Sequence, residues 1–395
     1  MTLKRTRERD AQVGPMSQLE KLQQDGYRRV GTPARGFRWL TASGAAVRAA
    51  ERARLHALRL PPAWTDVHAS TAPGAKLQAI GRDKAGRWQY RYHPDFRRRR
   101  EDAKYRRLLR FARALPKMRA AIDRDLRLPG LPREKVLACA VRILMTCFMR
   151  AGSEVYMRTN GSFGVATLRP KHVTIEKDLV HFEFPGKSGK WHVRELRDAR
   201  VARILRKLRK VPGRDLLKFE ADDGIVDVRR RHINAYIHDV MGGPFTAKDF
   251  RTWAGTLIAA CELARAAPEL VPGRTSTKRV VTAAVKATAS VLGNTPAVCR
   301  SSYINPGVLS SFERGRVVEK YFDTVEDLVH HRRGLHRSEK ALVTLLEAAQ
   351  APARRSAAGR NGVSRAAPRK TPAQRRTIPA ARPGGDLPLP AAWAP

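Results

Sequence analysis

Cysteine is scarce in this sequence of 395 residues, which contains only Cys139, Cys147, Cys261 and Cys299. No two of them have the Cys-x-x-Cys spacing of a zinc site, and scattered thiols in a chain of this length do not indicate a disulfide framework. Free, buried thiols are typical of proteins in a reducing compartment, so we expect a cytoplasmic protein.

Long hydrophobic runs are also missing. The longest apolar stretch, residues 136–149, is too short to span a bilayer and contains Arg142. Residues 1–12 are charged and lack the apolar segment of a secretory signal. The sequence therefore predicts no membrane segment.

Acidic residues are few, with 36 Asp and Glu against 78 Lys and Arg, and the net charge is +42. A charge of this size opposes compaction by self-repulsion, so it indicates a polyanionic partner. Nucleic acid is the first candidate and an anionic membrane surface is the second. Because 42% of the residues are hydrophobic, the chain can still build a core, and its length suggests two or three domains.

Composition and periodicity divide the chain into four segments. Residues 1–25 form a charged N-terminal extension, and residues 26–97 are β-rich, with aromatic clusters separated by glycine and proline. Residues 98–350 mostly show apolar positions three and four apart, which predicts helices. Residues 351–395 are rich in Ala, Pro, Gly and Arg, and we expect a disordered basic tail that adds nonspecific DNA affinity.

Two strand patterns define the fold class. Trp88, Tyr90 and Tyr92 alternate with polar residues, which predicts a strand with one aromatic face. Within the helical region, residues 173–196 predict a three-stranded meander. We therefore expect an α+β protein, with a small β-rich N-terminal lobe and a mostly helical lobe that contains a three-stranded antiparallel sheet.

The last helices of this region are predicted over residues 247–266, 274–292, 296–303, 309–319 and about 325–348. We expect Pro306 to end the helix over residues 296–303, which carries Tyr303, because proline cannot continue a helix.

Nucleotide and metal sites are not indicated. The segment from Phe184 to Ser188 resembles the end of a P-loop, but the first glycine of that motif would fall at His181, between two predicted strands. His330, His331 and His336 lie among arginines that would repel a cation. The acidic residues Glu220, Asp222 and Asp223 cluster just before Gly224, which predicts a polar turn. We expect no nucleotide cofactor and no metal.

Four polar segments adjoin apolar runs, at residues 149–154, 186–190, 248–252 and 293–303. Two arginines, a lysine and a tyrosine drawn from these segments would fit phosphoryl transfer without a metal. Arginines can grip non-bridging oxygens, tyrosine can attack phosphorus, and lysine can protonate the leaving oxygen. Composition alone singles out no particular arginine, because most arginines of such a protein contact the phosphate backbone or solvent.

The order and spacing of these segments resemble the type IB DNA topoisomerases, especially their small bacterial and poxviral branch. The resemblance covers roughly residues 30–345 and is strongest at residues 81–93, 150–168, 248–256 and 292–303. It implies a two-lobed clamp that closes around duplex DNA.

The resemblance also implies roles for individual residues. Arg150 and Arg251 resemble the arginines that hold the scissile phosphate, and Lys187 resembles the general acid that protonates the departing 5′-oxygen. Tyr303 resembles the nucleophile that forms a 3′-phosphotyrosyl bond. Asn294 stands where many relatives have a histidine, and its amide can donate the same hydrogen bond but carries no charge.

Further residues resemble DNA contacts of the family. Gln89, Tyr90 and Tyr92 match positions in the N-terminal lobe, and Tyr156 matches a phosphate-contacting tyrosine. Aromatic residues of a strand can also serve packing alone. Lys190 is a second candidate for the role of the general acid.

The implied function is ATP-independent relaxation of supercoiled duplex DNA through transient single-strand cleavage, strand rotation and religation. We expect a monomer without cofactors that is associated with the nucleoid in the cytoplasm. A tyrosine recombinase shares this chemistry but usually has histidine where Lys248 precedes Arg251 by three residues. A non-catalytic basic DNA-packaging protein is the other alternative, and it would not need Tyr303.

Overall fold

The protein is described by a computed structural model, which covers residues 17–222, 224–268, 274–322 and 333–350. The predicted basic tail at residues 351–395, residues 1–16 of the predicted extension, and His330 and His331 lie outside this range. The chain divides into two compact units between Tyr105 and Arg106. The sequence placed this boundary earlier, between residues 97 and 98.

The first unit is built on one antiparallel sheet. Its elements are α1 (Gln18–Asp25), β1 (Tyr27–Thr32), β2 (Gly36–Leu40), α2 (Ala49–Ala57), β3 (Thr65–Ala69), β4 (Leu77–Arg82) and β5 (Trp88–Tyr92). The five strands are ordered β2-β1-β3-β4-β5, so the predicted aromatic strand is confirmed and lies at one edge of the sheet.

Residues 18–25 of the predicted charged extension form helix α1. Ser17 caps this helix by accepting a hydrogen bond from the amide of Glu20, whose carboxylate in turn accepts one from the amide of Ser17. Leu22 then packs with Leu77 and Ile80 of the sheet. Capping and packing together stabilise a segment whose charge suggested only an extension.

The second unit is mostly helical. Its helices within the described ranges are α3 (Pro94–Asp125, which starts before the unit boundary), α4 (Arg133–Thr146), α5 (Glu154–Asn160), α6 (Ala199–Lys210), α7 (Arg230–Met241), α8 (Ala247–Ala266), α9 (Arg274–Leu292), α10 (Pro296–Ser302), α11 (Pro306–Glu313) and α12 (Arg337–Gln350). Helices α4 and α8 are buried along most of their length and form the centre of the core. A helix that is apolar on nearly all sides is stable only in such a central position.

The predicted meander is present as β6 (Val173–Glu176), β7 (Leu179–Pro185) and β8 (Trp191–Arg197), ordered β6-β7-β8 and antiparallel. The pairing of β7 with β8 ends at Pro185 and Trp191, so residues 186–190 form the turn that carries Lys187. The α+β class, with a β-rich N-terminal lobe and a helical lobe containing this sheet, is confirmed.

The predicted acidic turn belongs to a hairpin, β9 (Lys218–Ala221) and β10 (Gly224–Asp227): Asp222 lies in the turn, whereas Glu220 lies in a strand and accepts a hydrogen bond from the amide of Leu131. One helix prediction is wrong. Pro306 begins α11 and does not end the preceding helix. Proline suits the first position of a helix because its missing N–H would have no partner there. Tyr303 therefore lies in the short link between α10 and α11.

Candidate active site

The backbone of Tyr303 is held against α8. Tyr303 follows the last residue of α10, and its amide donates to the carbonyl of Cys299 at 2.9 Å. The Thr256 hydroxyl on α8 donates to the carbonyl of Tyr303 at 3.0 Å and accepts from the amide of Asn305 at 3.2 Å. A Cβ atom at Gly255 would lie 3.0 Å from Cβ of Tyr303, so glycine permits this close approach.

The beginning of α8 fixes the orientation of its first turn. Thr246 is the N-cap residue, and its amide and hydroxyl both donate to Oδ2 of Asp249, at 2.8 and 2.9 Å. Asp249 is buried and also accepts a hydrogen bond from Arg107 of α3 at 2.6 Å. This anchored turn carries Lys248 and Arg251, so the two cations project from a fixed frame.

Arg251 is the buried cation of the site, with 3% of its surface exposed. Its Nη1 donates to the carbonyl of Phe148 and its Nη2 to the carbonyl of Leu292, the latter at 2.9 Å. Its Cζ lies 5.0 Å from the centroid of the Tyr303 ring, within the range of a cation–π contact. Phe148 has a φ of 50°, a conformation that is unfavourable for a bulky residue and that accompanies its contact with Arg251.

Arg150 and Asn294 form the second part of the site. Nη2 of Arg150 donates to Oδ1 of Asn294 at 2.5 Å. The carbonyl of Arg150 accepts from the amide of Val165 at 2.9 Å, and the amide of Asn294 donates to Ala289 at 2.9 Å, so both backbones are fixed. Since guanidinium has only donors, the amide oxygen of Asn294 must face Arg150 and the amide nitrogen must point elsewhere.

Two buried donors of this cluster are unpaired. Within the described ranges, Nε of Arg251 and Nδ2 of Asn294 have no hydrogen-bond partner. Leaving a buried donor unpaired costs roughly 1–3 kcal/mol, so an unpaired donor in a functional cluster indicates a missing acceptor. A phosphodiester, with two non-bridging oxygens, has the chemistry to accept from both.

The electrostatics of the cluster favour negative charge. Burial alone would raise the pKa of Tyr303, but the positive charges of Arg251, Arg150 and Lys248 outweigh it and lower this pKa below its ordinary value. Burial, together with the charge of Arg150, lowers the pKa of Arg251 to about 10. Arg251 is therefore still charged at neutral pH, and the site stabilises a phenolate or a phosphoryl oxyanion.

Lys187 lies outside this cluster. It is exposed on the turn between β7 and β8, where the amide of Gly186 donates to the carbonyl of Lys190 at 2.7 Å. Among the residues that the structure describes, neither Lys187 nor Lys190 makes a side-chain hydrogen bond or an ion pair. The structure thus brings Arg150, Arg251, Asn294 and Tyr303 together but leaves both lysines free at the edge.

Sequence reasoning missed two residues of β8 that border the site. Arg194 is half-buried to buried, and its Nη2 donates to the carbonyl of Val291 at 3.2 Å, next to the turn of Asn294. His192 is 9% exposed, and burial, with the charges of Arg194, Arg150, Arg251 and Lys190, lowers its pKa to about 4. Alternation along β8 places both on one face of the strand, which was the available signal.

The predicted DNA-contacting residues differ in their surroundings. Tyr90 is 45% exposed and Tyr156 is 52% exposed, so both side chains are accessible. Gln89 donates to Oδ2 of Asp83 at 2.9 Å, which occupies its amide nitrogen. The ring of Tyr92 packs on Phe96 at a centroid distance of 5.4 Å and adjoins the core of the first unit.

The described part of the chain contains no candidate for a metal site or for a membrane-spanning helix. No group of three or more His, Cys, Asp or Glu side chains there could hold a metal ion. No described helix combines the length and apolar character needed to cross a membrane. All four cysteines are buried and free, and burial raises the pKa of each thiol.

Comparisons with known proteins identify the family of the chain. A family model described as "Eukaryotic DNA topoisomerase I, catalytic core" matches residues 93–316, and one described as "Bacterial DNA topoisomerase IB, N-terminal domain" matches residues 36–83. The DNA topoisomerase 1B of Acanthamoeba polyphaga mimivirus is 34% identical over 257 residues, which are 64% of this chain and 76% of the relative. The DNA topoisomerase 1B of vaccinia virus (strain Copenhagen) is 23% identical over 239 residues, 59% of this chain and 72% of the relative.

The chain belongs to the type IB DNA topoisomerases, in the small branch found in viruses and bacteria. It is an isomerase that relaxes supercoiled duplex DNA by cutting and resealing one strand through a phosphotyrosyl intermediate.

Proposed function

We propose that Tyr303 is the nucleophile of this reaction. The observation that carries the proposal is the position of Tyr303, whose backbone is bound by Thr256 and whose ring lies under the guanidinium of Arg251. Its phenolic oxygen attacks phosphorus, and a bond to the 3′-phosphate forms while the bond to the 5′-oxygen breaks. Because the pKa of Tyr303 is lowered, a larger fraction of the side chain is phenolate, the form that attacks, and the phenolate is also a better leaving group in religation.

Arg150, Arg251 and Asn294 bind the scissile phosphate. The unpaired Nε of Arg251 and Nδ2 of Asn294 donate to its non-bridging oxygens, which gain negative charge in the transition state. Arg150 adds a second cation and holds Asn294 through its oxygen, so the amide presents its nitrogen to the phosphate. Asparagine supplies the hydrogen bond that histidine supplies in many relatives, without a charge.

Lys187 is the general acid. Its ammonium group is exposed on a turn, where duplex DNA can cover it and bring it to the leaving 5′-oxygen. The proton passes from Lys187 to this oxygen as the P–O5′ bond breaks, and it returns when the 5′-hydroxyl attacks the phosphotyrosine. The phosphotyrosyl bond conserves the energy of the phosphodiester, so resealing requires no nucleotide cofactor.

Duplex DNA is bound by the wider basic surface. Tyr90 and Tyr156 are exposed and can contact the DNA backbone, and Gln89 and Tyr92 lie on the same strand as Tyr90. The net charge of +42 predicts steep salt dependence, because each neutralised phosphate releases counterions. We propose that the chain acts as a monomer and is associated with the nucleoid, since this charge favours DNA over self-association.

Plasmid relaxation tests this function. Supercoiled plasmid is incubated with the protein in EDTA and without ATP, and the expected product is a ladder of relaxed topoisomers. Tyr303→Phe should abolish relaxation and leave DNA binding nearly intact. Tyr236→Phe is the matched control, because Tyr236 is also buried but donates to Asp125, which is not one of the site residues. Relaxation by Tyr303→Phe would refute the assignment.

A further inference from the structure

His192 lies between the turn that carries Lys187 and the turn that carries Asn294. A Cβ atom at Gly186 would lie 2.0 Å from Cδ2 and 2.3 Å from Nε2 of His192. A Cβ atom at Gly293 would lie 2.5 Å from Cε1 and 3.1 Å from Nδ1. The two glycines therefore contact the two edges of one imidazole ring.

Both glycines are explained by this ring. Gly186 has a φ of −97°, which any residue can adopt, so only the lack of space requires glycine there. Gly293 has a φ of +61°, which adds a backbone reason to the steric one. Phe184 of β7 stacks on the imidazole at a centroid distance of 5.5 Å and an interplanar angle of 29°. The ring is thus enclosed on two edges and one face.

Each of these glycines precedes a residue with a proposed role at the scissile phosphodiester. Lys187 follows Gly186 and is exposed, without side-chain partners among the described residues. Asn294 follows Gly293 and is bound to Arg150. The imidazole ring of His192 therefore lies between the turn of the exposed lysine and the turn of the buried phosphate-binding amide.

We propose that His192 is a positioning residue, which holds the Lys187 turn at a fixed distance from the Asn294 turn so that acid and phosphate-binding amide meet the same phosphodiester. The proposal rests on the roles given above to Lys187 and Asn294. His192 acts through shape, because it is uncharged at neutral pH, and a charge there would be repelled by Arg150, Arg194 and Arg251.

The test measures single-turnover cleavage of two DNA duplexes at a mapped cleavage site. One has the natural phosphodiester, and the other has a bridging 5′-phosphorothiolate, whose thiolate leaves without a proton. Lys187→Ala should be slow on the first and restored on the second. A displacement of about 1 Å can cost on the order of 100-fold in rate, so His192→Ala should slow natural cleavage by about 10- to 100-fold. On the phosphorothiolate it should be close to wild type.

His232→Ala is the matched control. His232 is another histidine whose pKa is lowered by burial, and it lies on α7 and packs on Phe219, with no contact to either glycine or to Phe184 among the described residues. Its removal also costs packing, but the ratio of the two cleavage rates should remain that of wild type. Thermal unfolding of each variant shows how much fold stability is lost.

A second variant approaches the same contact from the other side. Gly186→Ala must displace the ring or the turn, so it should give the same rate ratio as His192→Ala. In the double variant, which combines Gly186→Ala with His192→Ala, the methyl group at position 186 has no imidazole to displace. The effects of the two changes should therefore not add. This variant tests the proposal even if His192→Ala does not fold.

Equal slowing on both duplexes in His192→Ala and Gly186→Ala would overturn the proposal, because the defect would then not concern proton transfer. Additive effects in the double variant would overturn it as well. The proposed function fails by a different result, namely no rescue of Lys187→Ala by the phosphorothiolate, whatever the His192 variants do.

Discussion

Arg251 lies over the ring of Tyr303, with its Cζ 5.0 Å from the ring centroid. One turn further along the same helix, Thr256 donates to the carbonyl of Tyr303. A single buried helix, α8, therefore positions both the backbone of the nucleophile and the cation that stabilises its charge. The geometry of attack depends on the rigidity of this helix, which is anchored at its start by Thr246 and Asp249.

Arg251→Lys should disable cleavage although it preserves the charge. An ammonium group cannot reach the carbonyls of Phe148 and Leu292 and still present a donor to phosphate, because it lacks the planar fork of guanidinium. Loss of one such donor costs on the order of 100-fold in rate. Single-turnover cleavage measures the effect.

Arg265→Lys is the control for this change, since Arg265 lies on the same helix and donates to the carbonyl of Phe322, away from Tyr303. Its cleavage rate should match wild type. A fully active Arg251→Lys enzyme would mean that the position requires only a positive charge.

Asn294→Asp separates the two functions of the amide. Aspartate keeps the oxygen that accepts from Arg150, but it replaces the unpaired Nδ2 donor by a second, negatively charged oxygen. If the nitrogen binds phosphate, Asn294→Asp should cleave more slowly than Asn294→Ala, by roughly tenfold or more, since repulsion is added to a lost hydrogen bond. Should the aspartate variant be the faster of the two, the amide would serve only to hold Arg150.

Acid should destabilise the fold partly through His192. Its pKa is lowered from 6.5 to about 4 in the folded protein, so the unfolded chain takes up a proton that the folded chain excludes. The stability due to the neutral ring is complete above pH 6.5 and is lost as the pH falls from 6.5 towards 4, by up to about 3 kcal/mol.

Urea unfolding at pH 7.5 and pH 4.5 measures this contribution, with His192→Asn for comparison. The free energy of unfolding should fall more in wild type than in the variant, because asparagine does not titrate. An equal fall in both proteins would show that His192 is not the group that excludes the proton.

Much of this fold could be predicted from the sequence wherever the apolar residues followed one clear periodicity. The helices over residues 247–266 and 274–292 have the predicted bounds, because their apolar periodicity is long and their ends are marked by polar or glycine residues. Proline was ambiguous, since it can end one helix or begin the next. In the structure, Thr256 forms hydrogen bonds with Tyr303 and Asn305 in the link before Pro306. Such contacts between distant segments are not visible in the local sequence.

In the candidate site, only the residues that belong to a recognisable motif could be predicted. Spacing and resemblance indicated Arg150, Arg251, Asn294 and Tyr303, which the structure brings together. His192 follows from no motif, because its importance depends on two glycines that lie far apart in sequence and meet only in the folded protein.

Truncation after Gln350 should weaken DNA binding without abolishing relaxation. The cut leaves α12 intact, including Glu339, whose carboxylate binds Arg119 and Trp253 in the core. It removes the basic residues of the tail, so the slope of log affinity against log salt concentration should become shallower. Filter binding across a salt series measures this slope, and an inactive truncated protein would show instead that the tail is required for activity.

The central claim, that Tyr303 attacks phosphorus within the Arg150–Arg251–Asn294 cluster, is tested most directly by trapping the intermediate. Wild-type protein is mixed with duplex DNA in EDTA, the reaction is stopped with detergent, and the peptide that remains bound to DNA is identified by mass spectrometry. The assignment of Tyr303 as nucleophile predicts a peptide joined through Tyr303 to a 3′-phosphate, and no adduct with Tyr303→Phe. Attachment to a 5′-phosphate, or through any other residue, would contradict it.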